Sequence, residues 1–146
     1  MDGTLSLSIA TERQIEIAAP SERVWTVIAD VERWHEWTAS ITSIRLLDGP
    51  LAVGARAEVR QPKLPPLVWR VTALEPGRFF DWEVRSPGAL TVGSHHVEPR
   101  GAGSLATLKL VQAGPIGWLV GRMMLNLTRE YVSMEAAGLK KRSEGH

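Results

Sequence analysis

His95 and His96 are the side chains in this sequence best suited to chemistry, since imidazole titrates near neutral pH and also ligates metals. Neighbouring residues of a strand point to opposite faces, so at most one of the two can enter an interior site. A histidine there can shuttle a proton, or it can form hydrogen bonds that orient a ligand or fill space; the second is the plainer reading. His35 and Glu36 could complete a metal site only if their segment converged on the histidine strand, and no second His or Cys stands at a ligand spacing. Neither a metal nor a cofactor is expected.

The other residues with chemical potential are aromatic or cationic. Trp69 and Trp82 lie in adjacent strand-like runs, where an indole face could stack on a flat ligand ring. Trp34 and Trp37 are three apart and share a face, so they read first as the seam of small helices against a sheet, and Trp25 does likewise. Arg70 and Arg129 could pair with an anion, but solvation is the commoner fate of such residues. Gly101-Ala102-Gly103 reads as a hairpin turn, because no helix follows to hold a phosphate. Gly117 and Gly121 either admit a close backbone approach or loosen the helix that carries them into a gate.

Composition narrows the classes of function. The 146 residues suit one domain spanning 1–146, with an ordered core of about 12–142, long enough to bury a sizeable interior. Lys and Arg number 17 against 16 Asp and Glu, so the net charge of +1 gives no broad field for nucleic acid or anionic lipid. Cysteine is absent, which removes thiol chemistry and fits a reducing, cytoplasmic setting. Met1 to Thr11 has no basic cluster ahead of an apolar stretch and does not read as a secretory signal. The longest apolar run, near Ile116 to Leu127, is broken by Arg122 and is too short for stable membrane insertion. Glu144-Gly145-His146 resembles the start of an expression tag.

These residues need elements to hold them. Gln14 to Ala18 alternates polar and apolar side chains, as a half-buried strand does. Pro20-Ser21 then starts a short helix, with Ser21 as cap and Val24, Val27 and Ile28 at helical spacing. Asp30 ends it and caps a second short helix through Val31 to Trp37. From Ser40 to Ala113, six short strand-like runs are divided by turn clusters such as Glu75-Pro76-Gly77 and Ser86-Pro87-Gly88. Links this short join antiparallel neighbours, so the runs form a meander. After Gly114-Pro115, Leu119, Met123, Leu127, Tyr131 and Met134 recur at spacings of three and four, giving one helix to about Lys140, roughly 38 Å long. Its apolar face must be buried, and the meander offers the surface to bury it.

Ile15-Glu16-Ile17-Ala18-Ala19-Pro20-Ser21-Glu22-Arg23-Val24-Trp25, with Asp30-Val31-Glu32-Arg33-Trp34-His35-Glu36-Trp37 after it, resembles the opening of the polyketide cyclase/dehydrase branch of the START-like, or SRPBCC, helix-grip superfamily. Trp69, Val71, Leu74, Glu75, Pro76, Phe80 and Trp82 resemble that branch's fourth and fifth strands. The likeness runs from about Gln14 to Lys140. It implies an α+β helix-grip fold: a seven-stranded curved antiparallel sheet around a long C-terminal helix, with two short helices between the first and second strands. Against the family pattern the sixth strand, Gly93 to Pro99, reads short. Matching Val97 to the family's apolar inner position makes His95 the inward histidine.

Alternation turns Ala55, Ala57, Val59, Trp69, Val71, Ala73, Phe80, Trp82, Val84, Ala106, Leu108 and Leu110 inward, with charged residues such as Arg56, Arg70, Asp81 and Lys109 between them. Small residues beside tryptophans leave either a cavity or a filled core. The expected ligand-binding set from the sheet is Val59, Trp69, Val71, Phe80, Trp82, His95 and Leu108. Trp37 joins it from the short helices, and Leu119, Met123 and Leu127 from the long one. The first functional expectation is a binding module for a small hydrophobic ligand such as a lipid, quinone or polyketide. The others are a cyclase or dehydratase-like enzyme in which His95 moves a proton, and an interaction module resembling the chaperone activators, with an exposed apolar patch and no cavity.

Overall fold

In the computed structural model, which describes residues 7–145, the alternating segments form β1 (Ser8–Ile17), β2 (Ser43–Leu46), β3 (Arg56–Arg60), β4 (Leu67–Glu75), β5 (Phe79–Ser86), β6 (Ala89–Arg100) and β7 (Gly103–Ala113). All pair antiparallel in one sheet ordered β1-β7-β6-β5-β4-β3-β2, so β2 to β7 are neighbours in chain order and β1 pairs with β7. The meander follows from the turns. Gly77 and Gly88, with φ of 82° and 76°, supply the positive φ at two hairpins that side chains other than glycine rarely adopt. β1 begins at Ser8, ahead of the strand-like run at Gln14, because its pairing with β7 continues from Ile17↔Ser104 back to Ser8↔Ala113. Residues 1–6 and 146 lie outside the described residues, and with them most of the segment weighed as a leader and the last residue of the suspected tag. Glu144 belongs to the fold: its carboxylate accepts from the Ala18 amide at 2.8 Å and from Lys140 at 2.7 Å.

Side-chain parity on the inner face is close to that expected. Ala57, Val59, Trp69, Val71, Phe80, Trp82, Ala106 and Leu108 are buried, and Arg56, Arg70 and Lys109 are exposed. Ala73 departs from the expected parity. A bulge between Val71 and Ala73 inserts a residue into β4, so that Leu74 takes the inward place opposite Phe80 and packs on the core. β6 is long rather than short, with 12 residues, and its register sets Phe80↔His95↔Leu108 and Trp82↔Gly93↔Leu110.

Between β1 and β2 lie α1 (Ser21–Ala29) and a 3-10 turn (Val31–Glu36). Neither expected cap forms: Pro20 occupies the N-cap of α1, and Asp30 makes no side-chain cap bond to the turn. The C-terminal segment is two helices, α2 (Pro115–Met123) and α3 (Leu125–Ser143), where the periodicity had suggested one. The last amide of α2's ladder, Met124 N, donates to Val120 O at 2.9 Å, and Thr128 N donates to Met124 O at 2.9 Å. α3 packs on β1, β7 and α1, while α2 packs on β1, β6 and β7, so the sheet grips both. Among the described residues no helix is long and apolar enough to cross a membrane.

The buried stripe of these helices is rotated from the one expected. Gly117 and Gly121 face the sheet in α2, and Tyr131, Val132, Ala136, Leu139 and Ser143 are buried in α3. Leu119 and Met123 point away, 52% and 76% exposed. At roughly 100° per residue, the buried Gly117 and Gly121 lie about 160° around the α2 wheel from Leu119. Size explains the shift. A side chain at Gly121 would run into Ile9 Cγ2 at 2.5 Å and Gln112 Oε1 at 2.9 Å, so a helix seated this close must present its smallest residues.

Candidate functional site

Between the inner sheet face and α2 and α3 lies a cavity of about 310 Å³. An engineered dry cavity of about 150 Å³ holds a benzene, so this one has room for roughly two rings. Its floor comes from β5 and β6. Phe80 and His95 are cross-strand partners whose rings stack at 4.3 Å, and Trp34 reaches over them from the 3-10 turn, 5.1 Å from the imidazole and 5.6 Å from Trp82. Trp69 lies 5.7 Å from Trp82. Gly93 makes that pairing possible: a Cβ there would come within 3.1 Å of the Trp82 indole and 3.5 Å of Trp69.

Of the expected ligand-contact residues, Val59, Trp69, Trp82, His95, Leu108 and Leu127 border the cavity. Val71 and Phe80 lie behind the wall, fully enclosed, and serve as its backing. Trp37 packs against Trp34 at 5.6 Å outside the cavity. Leu119 and Met123 face outward for the reason given above, and Val120 and Met124 stand on the wall in their place. Arg70 and Arg129 are exposed and off the wall, Glu36 is engaged by Arg142 at 2.6 Å, and His96 stacks on Phe79 at the surface.

His95 is fixed in role by its partner. Its Nδ1 lies 3.1 Å from the Phe80 carbonyl oxygen, which only accepts, so Nδ1 carries the proton and Nε2 is left as an acceptor. Burial pushes its pKa down to about 4, against the pull of that hydrogen bond. At neutral pH the ring is uncharged.

Sequence reasoning missed several wall residues. Trp34, assigned to a helix seam, sits at the centre of the aromatic cluster with its indole N–H donated to Ile28 O at 3.0 Å. Glu135, on α3, borders the cavity and accepts from Ser40 Oγ at 3.0 Å. Burial raises its pKa to about 7, with the Ser40 bond opposing. Ser40 and Thr38 share a hydrogen bond of 2.7 Å, Gln61 donates to Ser40 O at 3.2 Å, and the Tyr131 hydroxyl donates to Pro62 O. The signal for Glu135 was the i, i+4, i+8 line of Tyr131, Glu135 and Leu139, hidden because a carboxylate is normally read as solvated.

A curved antiparallel sheet closing on a C-terminal helix, with short helical segments after the first strand, defines the helix-grip class. The sequence matches the model of the polyketide cyclase/dehydrase and lipid transport family over residues 8–144, and the chain belongs to that family. Among solved structures it is similar to Ara h 8.0201, with 12% identity and a TM-score of 0.70, covering 95% of this chain and 99% of that one. It is also similar to truncated norcoclaurine synthase from Thalictrum flavum, with 14% identity and a TM-score of 0.73, covering 95% of each. A third is the di-domain ARO/CYC StfQ from the steffimycin biosynthetic pathway, with 11% identity and a TM-score of 0.73. There the match covers 97% of this chain and 52% of that one, so this chain spans about half of the di-domain protein. Likeness at these identities shows the fold. No curated protein matches the sequence.

Proposed function

We propose that this protein binds a small, largely apolar molecule of the lipid, quinone or polyketide kind between its sheet and its C-terminal helices. The observation that carries this reading is the cavity of about 310 Å³ whose wall is mainly indole and aliphatic. Transfer of apolar surface from water into such a space supplies affinity at about 25 cal/mol per Å², and a few polar groups set orientation. Val59, Trp69, Trp82, Leu108 and Leu127 would make the apolar contacts, and His95 Nε2 would accept a hydrogen bond. Family membership supports the reading, and so does the name of the aromatase/cyclase neighbour. An interior of this size is at odds with an interaction module of the chaperone-activator kind, which needs none.

The cyclase reading loses its proton carrier at His95. A ring with a pKa near 4 and Nδ1 engaged by a carbonyl is a weak base at neutral pH. Native mass spectrometry of freshly purified protein and titration with an apolar panel test the binding reading, with Leu127→Trp as the control that fills the space. The expected result is a bound small molecule for the wild type and none for a folded Leu127→Trp. A panel that binds neither protein would retire the proposal.

A further inference from the structure

Glu135 is a part of the cavity wall that a purely apolar ligand leaves without a task. Its Oε2 accepts from Ser40, whose hydroxyl is in turn bonded to Thr38, so this relay gives the carboxyl a single hydrogen bond. Among the described residues no Arg, Lys or His forms an ion pair with it, and Oε1 takes no donor from the protein. Glu135 is half-buried, and an ionised carboxylate facing an apolar interior is costly unless a cation or further donors meet it.

Among the described residues no other side chain of the wall donates to Glu135. His95 is held neutral by burial, and the Tyr131 hydroxyl, raised by burial and by Glu130, is spent on Pro62. Lys109 borders the cavity through its strand but alternates with the inward Leu108 and Leu110, and is exposed. When Glu135 ionises, the interior field is negative, and the indole faces of Trp34 and Trp82 attract cations as well. Trp69 adds an enclosed indole N–H with no acceptor, a second polar group left open on the same wall.

We infer that the ligand of this cavity carries an ammonium group, received by Glu135, on an apolar body of about two rings held among Trp34, Trp69 and Trp82. This rests on reading the cavity as a ligand site. An alcohol could also donate to Glu135, but it would leave the negative charge uncompensated, and charge-assisted bonds are about twice as strong as neutral ones.

Three probes of matched shape test the inference by isothermal titration calorimetry near neutral pH: 2-(2-naphthyl)ethylamine, 2-(2-naphthyl)ethanol and 2-naphthylacetate. The amine is expected to bind about ten- to a hundredfold more tightly than the alcohol, with the carboxylate weakest. Glu135→Gln should erase the amine's advantage over the alcohol. A second measurement needs no variant. The bound ammonium favours the ionised carboxyl, so on the wild type the amine should release protons in buffers of differing ionisation enthalpy and the alcohol should not. Equal affinities for amine and alcohol, an advantage that survives Glu135→Gln, or the absence of proton release overturns the ammonium assignment and leaves the apolar site standing. Binding of none of the three probes removes the site itself, and the assignment with it.

Discussion

One sheet face is packed solid at one end and hollow at the other. Where α1 and the C-terminal half of α3 meet, Val24, Ile28 and Leu139 are fully enclosed, and Gly138 brings α3 down onto the backbone of Trp37. Beneath α2 and the first turns of α3, the wall is set by Val120, Met124 and Leu127, and about 310 Å³ stays unfilled. The lesson is that how near a helix sits depends on the small residues it presents, and what is left over depends on how far the large ones opposite can reach.

The strongest blow to the closed end is Gly138→Val. A Cβ at this position would overlap the Trp37 carbonyl oxygen, which is backbone and cannot swing aside, so the helix itself must move. A loss of about 3 kcal/mol or more, or failure to fold, is expected in urea unfolding. Wild-type stability would mean that the two ends are equally loose.

A graded series along the helices sharpens the contrast with one truncation at three leucines. Leu139→Ala should cost about 3–5 kcal/mol at the sealed end, Leu127→Ala about 1 kcal/mol beside the existing void, and Leu119→Ala about 0.5 kcal/mol or less on the outer face. Denaturant midpoints at constant m-value report all three. If Leu127 cost as much as Leu139, the idea of a hollow end would fail.

Acidity separates two titratable groups on the wall, the buried His95 and the half-buried Glu135. His95 has its pKa pushed from 6.5 to about 4. Between those values the unfolded chain binds the proton and the native one does not, so stability falls as pH drops through that window, by at most about 3 kcal/mol. Glu135, raised from 4.5 to about 7, acts in the opposite sense. The native state keeps a proton that the unfolded chain has released, and stability falls as pH rises through that range. His95→Gln should flatten the acid limb of the stability profile and Glu135→Gln the neutral limb. A profile unchanged in both variants would show that neither group is enclosed.

Strand order and inward parity were legible from the sequence because β5 and β7 set apolar residues between charged or polar ones, as in Phe80-Asp81-Trp82-Glu83, and turn residues divide the runs. The bulge was not legible, since both Ala73 and Leu74 are apolar and either can face inward. The helix face was misread because Leu119 and Met123 outweigh Gly117, Gly121 and Ala136 on any hydrophobicity count, although the small residues are the ones pressed to the sheet. The acidic corner of the site escaped for a related reason: Ser40, Thr38 and Gln61 lie in loops far from Glu135 in sequence, and only the closed sheet brings them together.

The change of helix at Met124 separates two kinds of persistence. α2 is held by snug seats for Gly117 against Ala89 and for Gly121 against Ile9 and Gln112, whereas α3 is anchored from Tyr131 to Ser143 in the sealed half. Because the joint falls between them, a short outward swing of α2 would bare the interior while the anchored half stays put. A guest's residence time would then follow the fit at two glycines and not the melting of the whole. The corresponding trace is hydrogen exchange faster from Gly117 to Gly121 than from Leu127 to Met134, and equal rates would mean that the wall opens only when everything does.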